Sequence, residues 1–186
     1  MKTYLPLAVL AGFIAGCSTA PVRSPQARLD AANTEIVNWY TLSQVSAMKL
    51  IEEYGPPDLI DSGRLTWKDK GPWKTTEVWD AEPNYHRNDP DILQQTVAYT
   101  VTPAQRKALE AFSDKVKINR SGTELSARYS SEALNILALN IADEVTQGAR
   151  DPVDARNFFA LTTELSASGK SSPYMQGLRF VNWQTP

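Results

Sequence analysis

The sequence predicts an α+β domain, a mainly antiparallel sheet of about four to six strands packed against helices. Three observations carry that expectation. Apolar residues recur at helical spacing in several segments, most clearly over 132–147, where Ala133, Ile136, Leu137, Ile141 and Val145 share a stripe. Strand-like segments come in neighbouring pairs joined by short glycine-bearing turns, Lys70-Gly71-Pro72 and Arg120-Ser121-Gly122. No helical pattern separates the partners of either pair, so locally connected antiparallel strands are favoured over a parallel sheet with crossover helices.

Taken in order, Ala27 to Trp39 opens the folded part with Leu29, Ala32, Ile36 and Trp39 at helical spacing. The next helix carries a stronger start signal: Thr41 and Gln44 match a capping box, with Tyr40 and Val45 at the staple positions. Leu42, Val45, Met48 and Ile51 should form its apolar, core-facing side, flanked by Leu50 and Tyr54. Gly55-Pro56-Pro57 should stop it, because glycine tolerates a left-handed cap and proline cannot continue the ladder. Leu59–Asp69 and Trp73–Asp80 then read as a hairpin, with Trp67, Trp73 and Trp79 available for cross-strand or core packing. Ala81–Pro90 reads as a loop.

Leu93, Val97, Tyr99 and Val101 line one face of a third strand, which runs into Thr102-Pro103-Ala104-Gln105, a capping box with proline at the first helical position. That helix carries Leu109 and Phe112 and ends near Ser113. Lys115–Asn119 and Thr123–Tyr129 make a second hairpin, with Gly122 where positive φ is wanted. Ser130 or Ser131 caps the helix over 132–147, and Gly148 stops it. Asp151-Pro152 starts another over 153–165, with Phe158, Leu161 and Leu165 on a stripe. Ser166–Ser172 is a flexible connection. Tyr174, Met175, Leu178, Phe180 and Trp183 should dock the C-terminal piece on the body as a turn and a short edge strand.

The N-terminus belongs to a different argument. Lys2 is followed by Leu5, Leu7, Val9, Leu10, Phe13 and Ile14, an apolar run too short for a permanent span, which needs about 20 residues. It leads into Ile14-Ala15-Gly16-Cys17, which holds the only cysteine of the 186-residue chain. This resembles the bacterial lipoprotein leader: an aliphatic residue, a small residue, Gly or Ala, then Cys. The resemblance implies a diacylglycerol thioether on Cys17, cleavage just before it and acylation of the new amine. Cys17 is thus the expected lipidation site, a soft nucleophilic thiol being what S-alkylation requires. The competing reading is an ordinary signal peptide cut between Ala15 and Ala20, leaving a free thiol. Ser18, rather than Asp, resembles the set passed on to the outer membrane in organisms that have one; a periplasm-facing domain is the expectation, with surface exposure left open. Several acyl chains hold a protein durably where one holds it only reversibly.

The expected organisation is a signal peptide over 1–16, a lipidated N-terminus and flexible tether over 17–25, and a single α+β domain over 26–186. Ser18–Pro25, small, polar and proline-bearing, would lift the domain by roughly 20 to 30 Å at full stretch. The formal charge of -2 becomes -3 once the single charge of Lys2 leaves with residues 1–16. This mild acidity excludes the basic footprint of a nucleic-acid binder and a polybasic membrane contact.

Residues 41–80, with a helix, the Gly55-Pro56-Pro57 break and strands bearing Trp67 and Trp79, also resemble small outer-membrane lipoproteins of the SmpA/OmlA type. That resemblance implies a short antiparallel sheet and a supporting role at the machine that inserts β-barrel proteins.

Chemistry is sparse. His86 is the only histidine; a metal there would draw on Asp80, Glu82, Asp89 or Asp91, which lack zinc-ligand spacing. Asn84–Asp91 lacks the regular oxygen series of a calcium loop and reads as a solvated acidic loop. There is no G-x-S-x-G elbow, and no two acids are singled out as a glycosidase pair. No catalytic, cofactor or metal residue is therefore expected. Trp73, on the rigid Gly71-Pro72 turn, together with Trp67 and Tyr54, forms the candidate binding surface, with core packing as the competing reading for Trp73. The expected function is a non-enzymatic binding or adaptor module for an envelope protein or a cell-wall component such as peptidoglycan. The alternative is a small-ligand-binding protein or cell-wall hydrolase. An adaptor calls for an exposed apolar patch; the alternative calls for a pocket where His86 or two acids converge.

Overall fold

In the computed structural model, which describes residues 24–82 and 90–181, helices cover one face of a six-stranded antiparallel sheet. The α+β architecture is the one expected, at the upper end of the strand count. Helix α1 spans Pro25–Ile36, starting earlier than its apolar pattern suggested. Ser24 is its cap, accepting from the Ala27 amide, and Pro25 fills the first turn, so both belong to the domain and not to the tether.

Helix α2 spans Thr41–Tyr54 and corrects two expectations. The capping box at Thr41 does not form: Thr41 is already helical, and Tyr40 is the cap residue with no side-chain cap bond. The Tyr40 amide instead donates to Asp80 Oδ1 at 2.9 Å, so a tertiary tie sets where the helix begins. The buried face is Ser43, Ala47 and Leu50, while Leu42, Val45 and Met48 are turned outward. Small side chains at Ser43 and Ala47 let α2 come close to the sheet, and Ser43 Oγ accepts from the Ala81 amide at 3.2 Å. Gly55 ends the helix at φ 77° as expected.

The strands are β1 Leu59–Asp61, β2 Arg64–Lys70, β3 Trp73–Trp79, β4 Leu93–Ala98, β5 Val116–Ile118 and β6 Glu124–Tyr129, in sheet order β1-β2-β3-β4-β6-β5. The strand expected over 59–69 is two strands, folded back at Ser62-Gly63 with Asp61 opposite Arg64. Lys70 pairs with Trp73 around Gly71-Pro72, and Gly71 takes φ 54° at the first central position, the sign a type II′ hairpin needs. Just before it, Asp69 also has positive φ, 51°. The alternation slips there: Trp73 joins the helix-covered core, while Lys74 reaches Glu124 at 3.0 Å on the opposite face.

Helix α3, Pro103–Phe112, forms the expected reciprocal capping box of Thr102 and Gln105. In the β5–β6 hairpin, Gly122 has φ 77°, and a Cβ there would lie 2.8 Å from the Val101 carbonyl oxygen. Helix α4, Glu132–Thr146, is capped by Ser131, and α5, Pro152–Ala167, by Asp151 with Pro152 behind it. Leu161 and Leu165 do not face the core as expected; α5 turns Ala155, Thr162 and the half-buried Phe158 and Phe159 inward. The C-terminal piece docks as a 3₁₀ turn over Pro173–Met175, and no strand follows it among the described residues. Buried Asn140 holds it, donating to the carbonyls of Tyr174 (3.0 Å) and Gly177 (2.9 Å) and accepting from the Arg179 amide (2.8 Å).

The core is divided. α1 and α2 close over Leu65, Trp67, Val78 and Leu93, while α3, α4 and α5 close over Val97, Leu125, Ala127 and Val116. Between the halves, buried Asn135 of α4 bonds Gln95 Oε1 (3.0 Å) and the Leu93 carbonyl (3.1 Å).

Candidate binding surfaces

The two tryptophans expected at a binding surface are core residues. Trp67 is 0% and Trp73 1% exposed. Trp67 Nε1 donates to the Gly55 carbonyl at 2.8 Å, fastening β2 to the end of α2. This gives the Gly55-Pro56-Pro57 break an architectural role. Trp73 Nε1 donates to Glu132 Oε1 at 2.7 Å, fastening the β2–β3 turn to the first residue of α4. Tyr54 is half-buried beside the same cluster. Its phenol is pushed well above the usual range by burial and by the carboxylates of Glu132 and Glu53. Neither tryptophan offers a free aromatic face.

The exposed apolar surface lies instead on α2. Leu42, Val45 and Met48 are 49%, 58% and 56% exposed, and Val37 and Tyr40 extend the surface through the α1–α2 connection. At about 100° per residue Val45 projects almost opposite Ala47 and Leu50, with Leu42 and Met48 on either side of it. The helix is amphipathic in an unusual sense, burying small residues and presenting large ones. A shallow groove beside the stripe, about 480 Å³, is lined by Val45, Met48 and Ile51 with Asn33 of α1.

A second groove, about 570 Å³, lies between α1 and the β1–β2 turn, with Glu35, Asn38, Trp39, Ser62 and Asp80 on its walls. Glu35 Oε1 accepts from the Gly63 amide (2.8 Å) and Trp39 Nε1 (3.3 Å), and Asp80 Oδ1 from the Tyr40 amide. Each carboxylate is thus anchored by one oxygen. These residues are distant in sequence, which is why spacing did not single them out.

The sheet face away from the helices is polar. Glu77 bonds Arg64 (3.3 Å) and Gln94 (2.6 Å), and the Arg64 and Arg128 guanidiniums sit 4.8 Å and 4.6 Å from the Trp79 ring centre. Arg128 also donates to the Asp91 carbonyl at 2.7 Å, and burial lowers its pKa from the usual guanidinium value. Asp91 pairs with Lys115. Cys17, His86 and Asp89 lie outside the described residues. Among the described residues no group of three His, Cys, Asp or Glu is arranged to hold a metal ion, and no helix is long and apolar enough to cross a membrane. No protein-family model, curated protein or solved structure matches the chain.

Proposed function

We propose that the chain is a bacterial envelope lipoprotein, anchored through lipid on Cys17 to the periplasmic side of the outer membrane, whose α+β body is a non-enzymatic binding module. The observation that supports the binding role is the outward stripe of α2. Large apolar side chains held out on a helix whose packed face is satisfied by Ser43, Ala47 and Leu50 form a surface suited to docking. The arrangement of residues 41–80, a helix, a Gly-Pro break and three antiparallel strands, is compatible with a supporting role like that of the SmpA/OmlA-type lipoproteins. A photocrosslinking residue at position 45, in cells carrying the native leader, tests the role. Adducts with an envelope component, lipid or protein, that vanish in Cys17→Ala are expected; a chain that forms neither at native abundance would contradict it.

A second reading, binding of a small cell-wall ligand, is favoured by the α1–β1 groove. Its two carboxylates have no lysine or arginine ion-pair partner among the described residues. Titration with a disaccharide-peptide released from peptidoglycan checks it: that reading requires a heat of binding abolished in Glu35→Gln/Asp80→Asn, and no heat from the native chain would remove it.

A further inference from the structure

We infer that the outward stripe of α2 rests on the lipid bilayer itself, so that α2 lies along the membrane surface and the polar sheet face points away from it. This deepens the proposed function and rests on its reading of Cys17 as the lipid-bearing residue.

The first argument is where the chain leaves the domain. Cys17 to Ser24 is seven residue steps, a reach of at most about 25 Å. The tether joins α1 beside the far end of α2: Arg28, in the first turns of α1, pairs at 3.2 Å with Asp58, just beyond the end of α2. With 14 residues, α2 is about 21 Å long. The anchor can therefore hold the whole stripe at the bilayer without being fully extended.

The second argument is size. Val37, Tyr40, Leu42, Val45 and Met48 together expose on the order of 500 Å², about the apolar share of one side of a standard protein interface. A second copy or a protein partner would also have to match a polar rim around it. A bilayer does not, because the acyl chains supply the affinity and the stripe has only to orient the domain.

The third argument is charge. Lys49 and Glu52 line the groove beside the stripe, and helical spacing puts Glu53 at its edge, a small acidic excess. Such a face suits a zwitterionic surface and is repelled by anionic lipid, opposite to a polybasic contact.

Nitroxide labelling tests the inference on the full chain. With Cys17 carrying lipid, Val45→Cys gives the only free thiol, on the stripe, and Lys117→Cys gives one on exposed β5, away from it. Each labelled protein is extracted from membranes and reconstituted into phosphatidylethanolamine vesicles with a minor share of phosphatidylglycerol. The label at 45 should collide severalfold more with oxygen than with an aqueous nickel chelate, and the label at 117 should do the reverse. More phosphatidylglycerol should lower the ratio at 45. Leu42→Asp/Met48→Asp, both at exposed positions, should keep the native circular dichroism while moving the label at 45 into water. A water-exposed label at 45 in the otherwise native chain would overturn the inference, as would one shielded from both reagents by a second copy or a protein. The mass of the Cys17 peptide, taken on the same sample, separates the failures. Lipid on Cys17 with a wet label removes the bilayer contact alone, and an unmodified Cys17 removes the lipoprotein reading with it.

Discussion

Asn140 shows how one side chain can hold a terminal segment that has little regular structure of its own. Its three bonds to Tyr174, Gly177 and Arg179 satisfy its amide fully inside the core, at about 0.5–1.5 kcal/mol net each. Asn140→Ala should therefore cost about 2–4 kcal/mol in urea unfolding, with loss of hydrogen-exchange protection at the Arg179 amide. Gly122 makes a backbone argument: positive φ and a Cβ position 2.8 Å from the Val101 oxygen leave no room for a side chain. Gly122→Ala should lower stability by more than about 1 kcal/mol in the same assay. Two phenols give a pH signature. Burial and the bond to Asp143 push Tyr99 up to about 12, and burial, chiefly, raises Tyr129 to about 12. Because these folded values lie above the unfolded value near 10, the folded state holds more protons at high pH. Their stabilising contribution is complete below about pH 10 and is lost as pH rises through about 12. Phenolate absorbance of the native protein near pH 11 should therefore lie below that of the urea-unfolded chain. Equal absorbance would contradict the burial of these two rings.

At the scale of elements, what could be read from the sequence depended on whether local chemistry alone decided the outcome. The Thr102–Gln105 capping box, Pro103, the Asp151-Pro152 start and the glycine stops of α2 and α4 are local, and the structure keeps them. The faces of α2 and α5 were not decided locally. In α2 the stripe of Leu42, Val45, Met48 and Ile51 competes with one of Ser43, Ala47, Leu50 and Tyr54, and hydrophobicity favours the first. The sheet selects the second because small residues permit closer approach. Ser62-Gly63 and Asp69 likewise change the strands through two positive-φ residues, Gly63 and Asp69, inside what reads as continuous alternation. Leu42, Val45 and Met48 are thus legible as one apolar face but not as an exposed one, whereas the tryptophans read as a candidate surface, Trp73 and Trp67, are buried. Substitution separates the two orientations. Leu42→Gln, Val45→Gln and Met48→Gln should each change stability by less than about 0.5 kcal/mol, while Ala47→Leu should cost about 1–3 kcal/mol by overpacking. Large losses at the first three with tolerance at Ala47 would reverse the assignment.

At the scale of the whole molecule, the outward stripe of α2 is too small to act as an anchor by itself. Burying the half-exposed side chains of Leu42, Val45 and Met48 is worth about 2–4 kcal/mol, enough to orient a tethered domain and too little to hold a free one on a membrane. In the proposed reading anchorage falls to Cys17, where several acyl chains at about 0.8 kcal/mol per buried CH₂ would provide it. The body needs no disulfide: its one cysteine is outside the domain, and two buried clusters on one sheet supply the core. The most direct measurement of the central claim is the mass of the N-terminal peptide of the protein extracted from envelopes. The account predicts Cys17 as the first residue, carrying a diacylglycerol thioether and an acylated amine. A free thiol at Cys17, or a mature chain beginning at another residue, would contradict it.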